Sequence, residues 1–178
     1  KMKNYPRIYS LSTLGLIHHY ENDYLFHNMR TDFVGDSGSG KSIIADLLQL
    51  IFVGSEMFES ATRTMDEKRE LDGLVLRTPH KGIDIGYAFL NIEIQSRHYI
   101  VIGCYLESNS KRTKPFIIQG SSDPKANLLP IGQPLQTKDF KREGNICPLD
   151  DLLSQMEEKG LFLSYWETVK PYHRILYT

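Results

Sequence analysis

The chain has 178 residues, 40% hydrophobic and 24% charged, which suits one globular domain with a real core and leaves little room for a second. Lys and Arg number 21 against 22 Asp and Glu, and the formal charge of -1 excludes a chain-wide basic field for nucleic acid. The hydrophobic and charged fractions exclude collagen-like, coiled-coil and disordered compositions.

The first residue is Lys1 rather than Met, as expected of a segment of a longer product or of a trimmed chain. No run of 18 apolar residues occurs, so no membrane partner is expected and the chain reads as cytoplasmic. The two cysteines, Cys104 and Cys147, sit among apolar neighbours and match no metal spacing. They read as buried free thiols in a reducing compartment. The six histidines, including the pair His18-His19, match no zinc pattern.

In chain order, Arg7 to Leu11 and Tyr24 to His27 read as strands around a turn at Asn22-Asp23. Thr31 to Val34 is a short β-prone run that leads directly into Gly35-Asp36-Ser37-Gly38-Ser39-Gly40-Lys41-Ser42. A helical period follows, with Ile44, Leu47, Leu48 and Ile51 at i, i+3, i+4 and i+7 and Gly54 as the stop. The run from Met65 to Glu70 is charged and reads as solvated surface.

Tyr87 to Ile94, Arg97 to Leu106 and Pro115 to Gln119 read as a three-stranded meander, with the first turn at Gln95-Ser96. A loop-rich stretch with Pro124, Pro130 and Pro134 follows. Asp150 to Lys159 is a predicted helix, with Asp150 as its amino cap, Leu152, Leu153 and Met156 on one side and Gly160 at its end. Leu161 to Tyr177 reads as mostly helical.

Gly35-x-x-x-x-Gly40-Lys41-Ser42 fits the phosphate-binding loop pattern. Gly35, Gly38 and Gly40 would let successive amides turn toward phosphate oxygens, and Asp36, Ser37 and Ser39 complete the cradle. Lys41 would reach the β- and γ-phosphates, and the Ser42 hydroxyl would hold Mg²⁺. A second acid at the end of an apolar strand is harder to find. Ile146 to Asp151 contains Pro148, and Glu93 follows Asn91 with an apolar residue between them.

The segment Asp32 to Ser42, followed by Ile43 to Leu50, resembles the amino-terminal head segment of SMC-like ATPases. It is most similar to the MukB-like and JetC-like branch and to related anti-phage defence ATPases. The resemblance implies an α/β fold of the ABC-type head: a mixed sheet around the phosphate-loop helix plus an antiparallel β subdomain. Residues 1–178 would be the amino-terminal lobe, β-rich over about 83–120, with a helical tail over about 150–178 leading toward a coiled coil. The cofactors would be ATP and Mg²⁺, with Lys41 catalytic. A glutamine contacting Mg²⁺ and water would be Gln119 or Gln155, and an aromatic residue stacking on adenine would be Tyr9 or Tyr20.

The implied function is the ATP-binding half of a head that dimerises around ATP and couples this to DNA engagement. Its partners would be the complementary carboxy-terminal head segment, a second head, accessory subunits and double-stranded DNA. Hydrolysis is expected only with the complementary segment, because the signature motif and second acidic motif are missing. From Arg97 to Arg142 eight basic residues face three acids, a net of +5, and Lys111, Arg112 and Lys114 are the candidate DNA contacts. Two other readings compete: a small stand-alone P-loop NTPase or kinase with Glu93 or Asp150 near Mg²⁺, and a nucleotide-sensing scaffold without hydrolysis.

Overall fold

The structure, a computed structural model, describes residues 5–16, 19–26, 48, 51, 85–107, 113–123 and 128–167. Strands β1 (Arg7–Leu16), β2 (His19–Leu25), β3 (Ile85–Gln95), β4 (His98–Glu107) and β5 (Lys114–Gln119) come first. A 3₁₀ turn (Thr137–Phe140) and a small hairpin of β6 (Lys141–Arg142) and β7 (Asn145–Ile146) follow. Helix α1 (Leu149–Glu158) and strand β8 (Phe162–Tyr165) close the described chain. One six-stranded sheet runs in the order β2-β1-β3-β4-β5-β8.

The two central strands are apolar on both faces, and their alternation sorts side chains into two cores. Ala88, Leu90, Ile100, Ile102, Cys104 and Ile117 face one way, together with Leu11 and Leu16. Against them pack Leu48 and the buried Ile51, both helical and three residues apart, as one apolar helix face requires. Tyr87, Phe89, Val101, Tyr105, Phe116 and Ile118 face the other way. They are covered by Ile131, Leu135, Phe140 and the α1 side chains Leu149, Leu152 and Met156. Phe140 stacks on Phe89 with centroids 4.2 Å apart and planes 10° from parallel. Burying each such side chain contributes about 1.5–3 kcal/mol.

Two glycines are dictated by close approach. A Cβ on Gly103 of β4 would stand 2.6 Å from both the Ala88 carbonyl oxygen and Phe116 Cζ. Gly15, at φ +78°, brings its Cα face within reach of the Ile85 carbonyl, 2.5 Å from where a Cβ would sit.

Helix α1 begins with Pro148 in the capping position, so Asp150 lies in the first turn and is not the cap that the sequence suggested. There Asp150 and Asp151 sit favourably against the helix dipole. The helix ends where Gly160 was expected to end it. Gly160 takes φ +74°, its N–H donates to the Glu157 carbonyl at 3.0 Å, and the Leu161 N–H donates to Met156 at 2.9 Å.

Several expectations are corrected. Asn22 and Asp23 form no turn: they lie inside β2, opposite Thr13 and Ser12. The first meander turn is centred one residue later, with Arg97 at φ 59°. The predicted helix after Leu161 gives way to β8, which pairs with β5 from Phe116–Tyr165 to Gln119–Phe162. The residues of the predicted tail after Glu167 lie outside the described set, as do the strand at 31–34, the loop at 35–42 and the charged run at 65–70.

The largest correction concerns the architecture. The expected α/β head has a mixed sheet around a phosphate-loop helix, and such a fold binds its nucleotide where parallel strands hand into crossover helices. Here every pairing in the six-stranded sheet is antiparallel, and α1, at ten residues, is the one α-helix whose bounds are described. Strands β3, β4 and β5 follow one another as neighbours, which antiparallel pairing permits and parallel pairing does not. The described residues therefore form a β-rich antiparallel domain, and the resemblance to SMC-like or ABC-type heads is not sustained. No described helix is long and apolar enough to cross a membrane.

Candidate ligand cleft

Asn91 is the odd residue of β3, a fully buried amide in an apolar strand. Its Nδ2 donates to Ser10 Oγ and to the Leu135 carbonyl, both at 2.8 Å, and its Oδ1 accepts from the Leu135 N–H at 2.9 Å. Four residues earlier, Ile131 exchanges both backbone hydrogen bonds with Tyr99, at 2.8 and 2.9 Å. The intervening Gly132-Gln133-Pro134 is thereby held at both ends by the sheet, and Pro134 removes a further backbone freedom.

Beyond this loop the chain is tied again. Asp139 Oδ2 accepts from the Gln136 N–H at 2.8 Å, and Asp139 Oδ1 accepts from Lys159 Nζ at 3.0 Å. Gln155 of α1 donates to the Asp139 and Lys141 carbonyls at 2.9 and 3.2 Å. On the other flank, Asp23 of β2 accepts from the Thr137 N–H at 3.1 Å and the Thr137 hydroxyl at 3.0 Å. Between the loop and the end of α1 lies a cleft of about 530 Å³, within the usual range for small-molecule sites. Ile131, Leu135 and Leu161 supply its apolar lining, and Lys138, Lys159 and Asp139 its charges. Lys138 has no ion-pair partner among the described residues.

A second polar cluster lies at the Arg7 end of the sheet. Glu93, 4% exposed, accepts from Arg7 Nε at 2.7 Å and from the Arg97 N–H at 3.4 Å. Burial pushes its carboxyl up, but the hydrogen bonds from Arg7, the Arg97 amide and Tyr99, with the Arg7 charge, outweigh this and hold it below the usual value. Tyr99 is pushed up to about 12 by burial and by the Glu93 charge. These groups stabilise one another and are arranged as structure.

Most of the sequence-derived site residues are not among those the structure describes. Gly35, Asp36, Ser37, Gly38, Ser39, Gly40, Lys41 and Ser42 lie outside the described residues, as do Lys111 and Arg112. Lys114 is 3.5 Å from Glu167 and 5.8 Å from the centre of the Tyr165 ring. Gln119 is buried, and its Oε1 accepts from the Leu129 N–H at 3.1 Å. Tyr9 meets Tyr99 edge-on at 5.2 Å, while the Tyr20 side chain falls outside the described set.

Asp150, the alternative acid for Mg²⁺, accepts from the Tyr165 hydroxyl at 3.3 Å. Among the described residues no three His, Cys, Asp or Glu side chains converge on a metal position. With no nucleotide-binding architecture formed by these residues either, the expectation of ATP and Mg²⁺ is overturned. The ATP-binding head falls with it, as do the stand-alone NTPase or kinase and the nucleotide-sensing scaffold, which need the same fold.

Nor do the described residues assemble a nucleophile and base. Cys104 is fully buried and its thiol is pushed up to about 12 by desolvation, so it stays protonated. His98, the one histidine whose side chain is described, donates from Nδ1 to the Ser96 carbonyl at 2.7 Å. The cleft was missed because residues 121–145 read as plain loop. A signal did exist: Asn91, an amide in the middle of an apolar strand, needs a buried polar partner. No protein-family model matches the chain, and no curated protein matches it.

Proposed function

We propose that the protein works by binding rather than by bond chemistry, with the cleft beside residues 132–134 as its ligand site. One observation carries the reading: the loop is anchored to the sheet at both Ile131 and Leu135, so the cleft wall stands ready before any ligand arrives. Preorganisation of this kind lowers the entropic cost of binding. The Glu93 cluster is internally satisfied, and the described residues assemble no nucleophile and base. The two buried free thiols support a cytoplasmic setting.

Gly132 provides the test. It lines the cleft, nothing lies within 4 Å of where its Cβ would stand, and its φ is not in the left-handed region. Gly132→Phe should therefore fold normally and fill the space. In ligand-observed NMR with small fragments of all three charge types, wild type should give hits that the variant loses. Retention of all hits by a folded Gly132→Phe protein would sink the reading. A short DNA duplex belongs in the same experiment, since perturbation at Lys114 without change at Gly132 would move the site to β5.

A further inference from the structure

We infer that the cleft selects an organic anion, a carboxylate carried on an apolar body; this rests on the cleft being the ligand site. The argument is one of charge occupancy. The lining contains two cations, Lys138 and Lys159, and one anion, Asp139. Both carboxylate oxygens of Asp139 are already used, Oδ1 by Lys159 and Oδ2 by the Gln136 N–H. Asp139 also sits at the third position of the 3₁₀ turn, where its side chain and that of Gln136 cap one another's backbone amides. It is therefore committed to holding the turn and to Lys159, and among the described residues the positive charge of Lys138 has no ion-pair partner.

A cationic ligand would meet Lys138 and would have to displace Lys159 to reach Asp139. An anionic ligand meets a cation with no competing partner among the described residues. The Lys159 ammonium carries three N–H donors and spends one on Asp139, so at 41% side-chain exposure it can keep that contact and still donate to an incoming carboxylate. The head group would thus sit between Lys138 and Lys159, with the body against Leu161 and the exposed edges of Ile131 and Leu135. Charge-assisted hydrogen bonds of this kind outweigh neutral ones.

Three probes with one hydrocarbon body separate charge from shape: hexanoate, hexanol and hexylammonium. Each is titrated into the ¹⁵N-labelled full chain while the amides of Gly132, Leu135 and Leu161 are followed. Hexanoate should bind about tenfold more tightly than hexanol, and hexylammonium more weakly than either. Lys138→Gln, a change at an exposed side chain, should remove most of hexanoate's advantage over hexanol, with Lys159 retaining the remainder.

Equal binding of all three probes at these amides would overturn the anion inference and leave the cleft standing as a binding site. Hexanoate binding that ignores Lys138→Gln would overturn it as well. If no probe moves these amides, the inference fails, and the Gly132→Phe comparison decides separately whether the cleft binds anything.

Discussion

Asn91 holds both backbone groups of Leu135: it accepts from the N–H at 2.9 Å and donates to the carbonyl at 2.8 Å. One side chain of a central strand thus supplies the pairing that an additional strand would have given. Replacement by Ala strands two buried backbone groups at once. Asn91→Ala is expected to lower stability by about 2–4 kcal/mol in urea titration. It should also speed amide exchange at Leu135 far more than at Ile131, which keeps its own bonds to Tyr99. Equal acceleration at both positions would mean that Asn91 is not the specific anchor.

The Glu93 cluster sets an acid limit. Its carboxyl titrates lower in the folded protein than its ordinary 4.5, so the folded state gains stability once the unfolded carboxyl would be ionised. That gain is complete above about pH 5 and is lost as pH falls through the folded value. Glu93→Gln should flatten this acid limb in denaturation measured from pH 3 to 7. A limb unchanged by the substitution would assign it to other carboxylates.

An alkaline limb has the opposite sign. Tyr99 is raised from 10.0 to about 12, so its contribution is present below pH 10 and drains away as pH climbs toward 12. Tyr99→Phe should lessen the loss of stability over that interval, read by circular dichroism. Buried Tyr87 is raised in the same direction by desolvation, so part of the limb should persist in the variant.

Gly103 and Gly132 should respond oppositely to alanine. At Gly103 the new methyl would stand 2.6 Å from the Ala88 carbonyl oxygen, backbone that can move only by spreading β3 from β4. Gly103→Ala is expected to cost about 1–3 kcal/mol. At Gly132 the space is open, and the loss of backbone freedom in the unfolded chain predicts a neutral to slightly stabilising change of up to about 1 kcal/mol. Thermal melts of the two variants beside wild type decide it.

Both thiols should resist alkylation in the native protein. Cys104 and Cys147 are 1% and 3% exposed, and desolvation raises both thiols. Iodoacetamide at pH 8 should leave the folded chain unlabelled and add two groups after denaturation, as read by mass spectrometry. Rapid labelling of one cysteine under native conditions would contradict the packing around it.

The strands β3, β4 and β5 were legible because Tyr87 to Ile94, Tyr99 to Leu106 and Pro115 to Gln119 carry dense β-branched and aromatic residues between short polar breaks. Helix α1 was legible from Leu152, Met156 and the terminating Gly160. What failed was read from polar residues whose partners are distant. Asp23 looks like a turn residue, yet in β2 it accepts hydrogen bonds from Ser12 and from Thr137, 114 positions away. Phe162 to Tyr165 follows a helix and looks like its continuation, but the left-handed Gly160 turns the chain back along β5. The fold inferred from residues 35–42 failed for a different reason. Their pattern fixes few positions and a fold must confirm it, whereas the described residues form another fold.

The strand order also carries a kinetic consequence. Strands β3, β4 and β5 are joined to one another by short links, so their ladders close small loops and lose little chain entropy. Pairing β1 with β3 joins Leu14 to Tyr87, a far larger loop, and β8 is separated from β5 in the chain by the cleft segment and α1. The meander is thus the natural nucleus, and the wall of the cleft assembles last. Substitutions in β4 should slow refolding, while those in β8 should chiefly hasten unfolding. On this ordering the proposed ligand cleft is also the part that opens first.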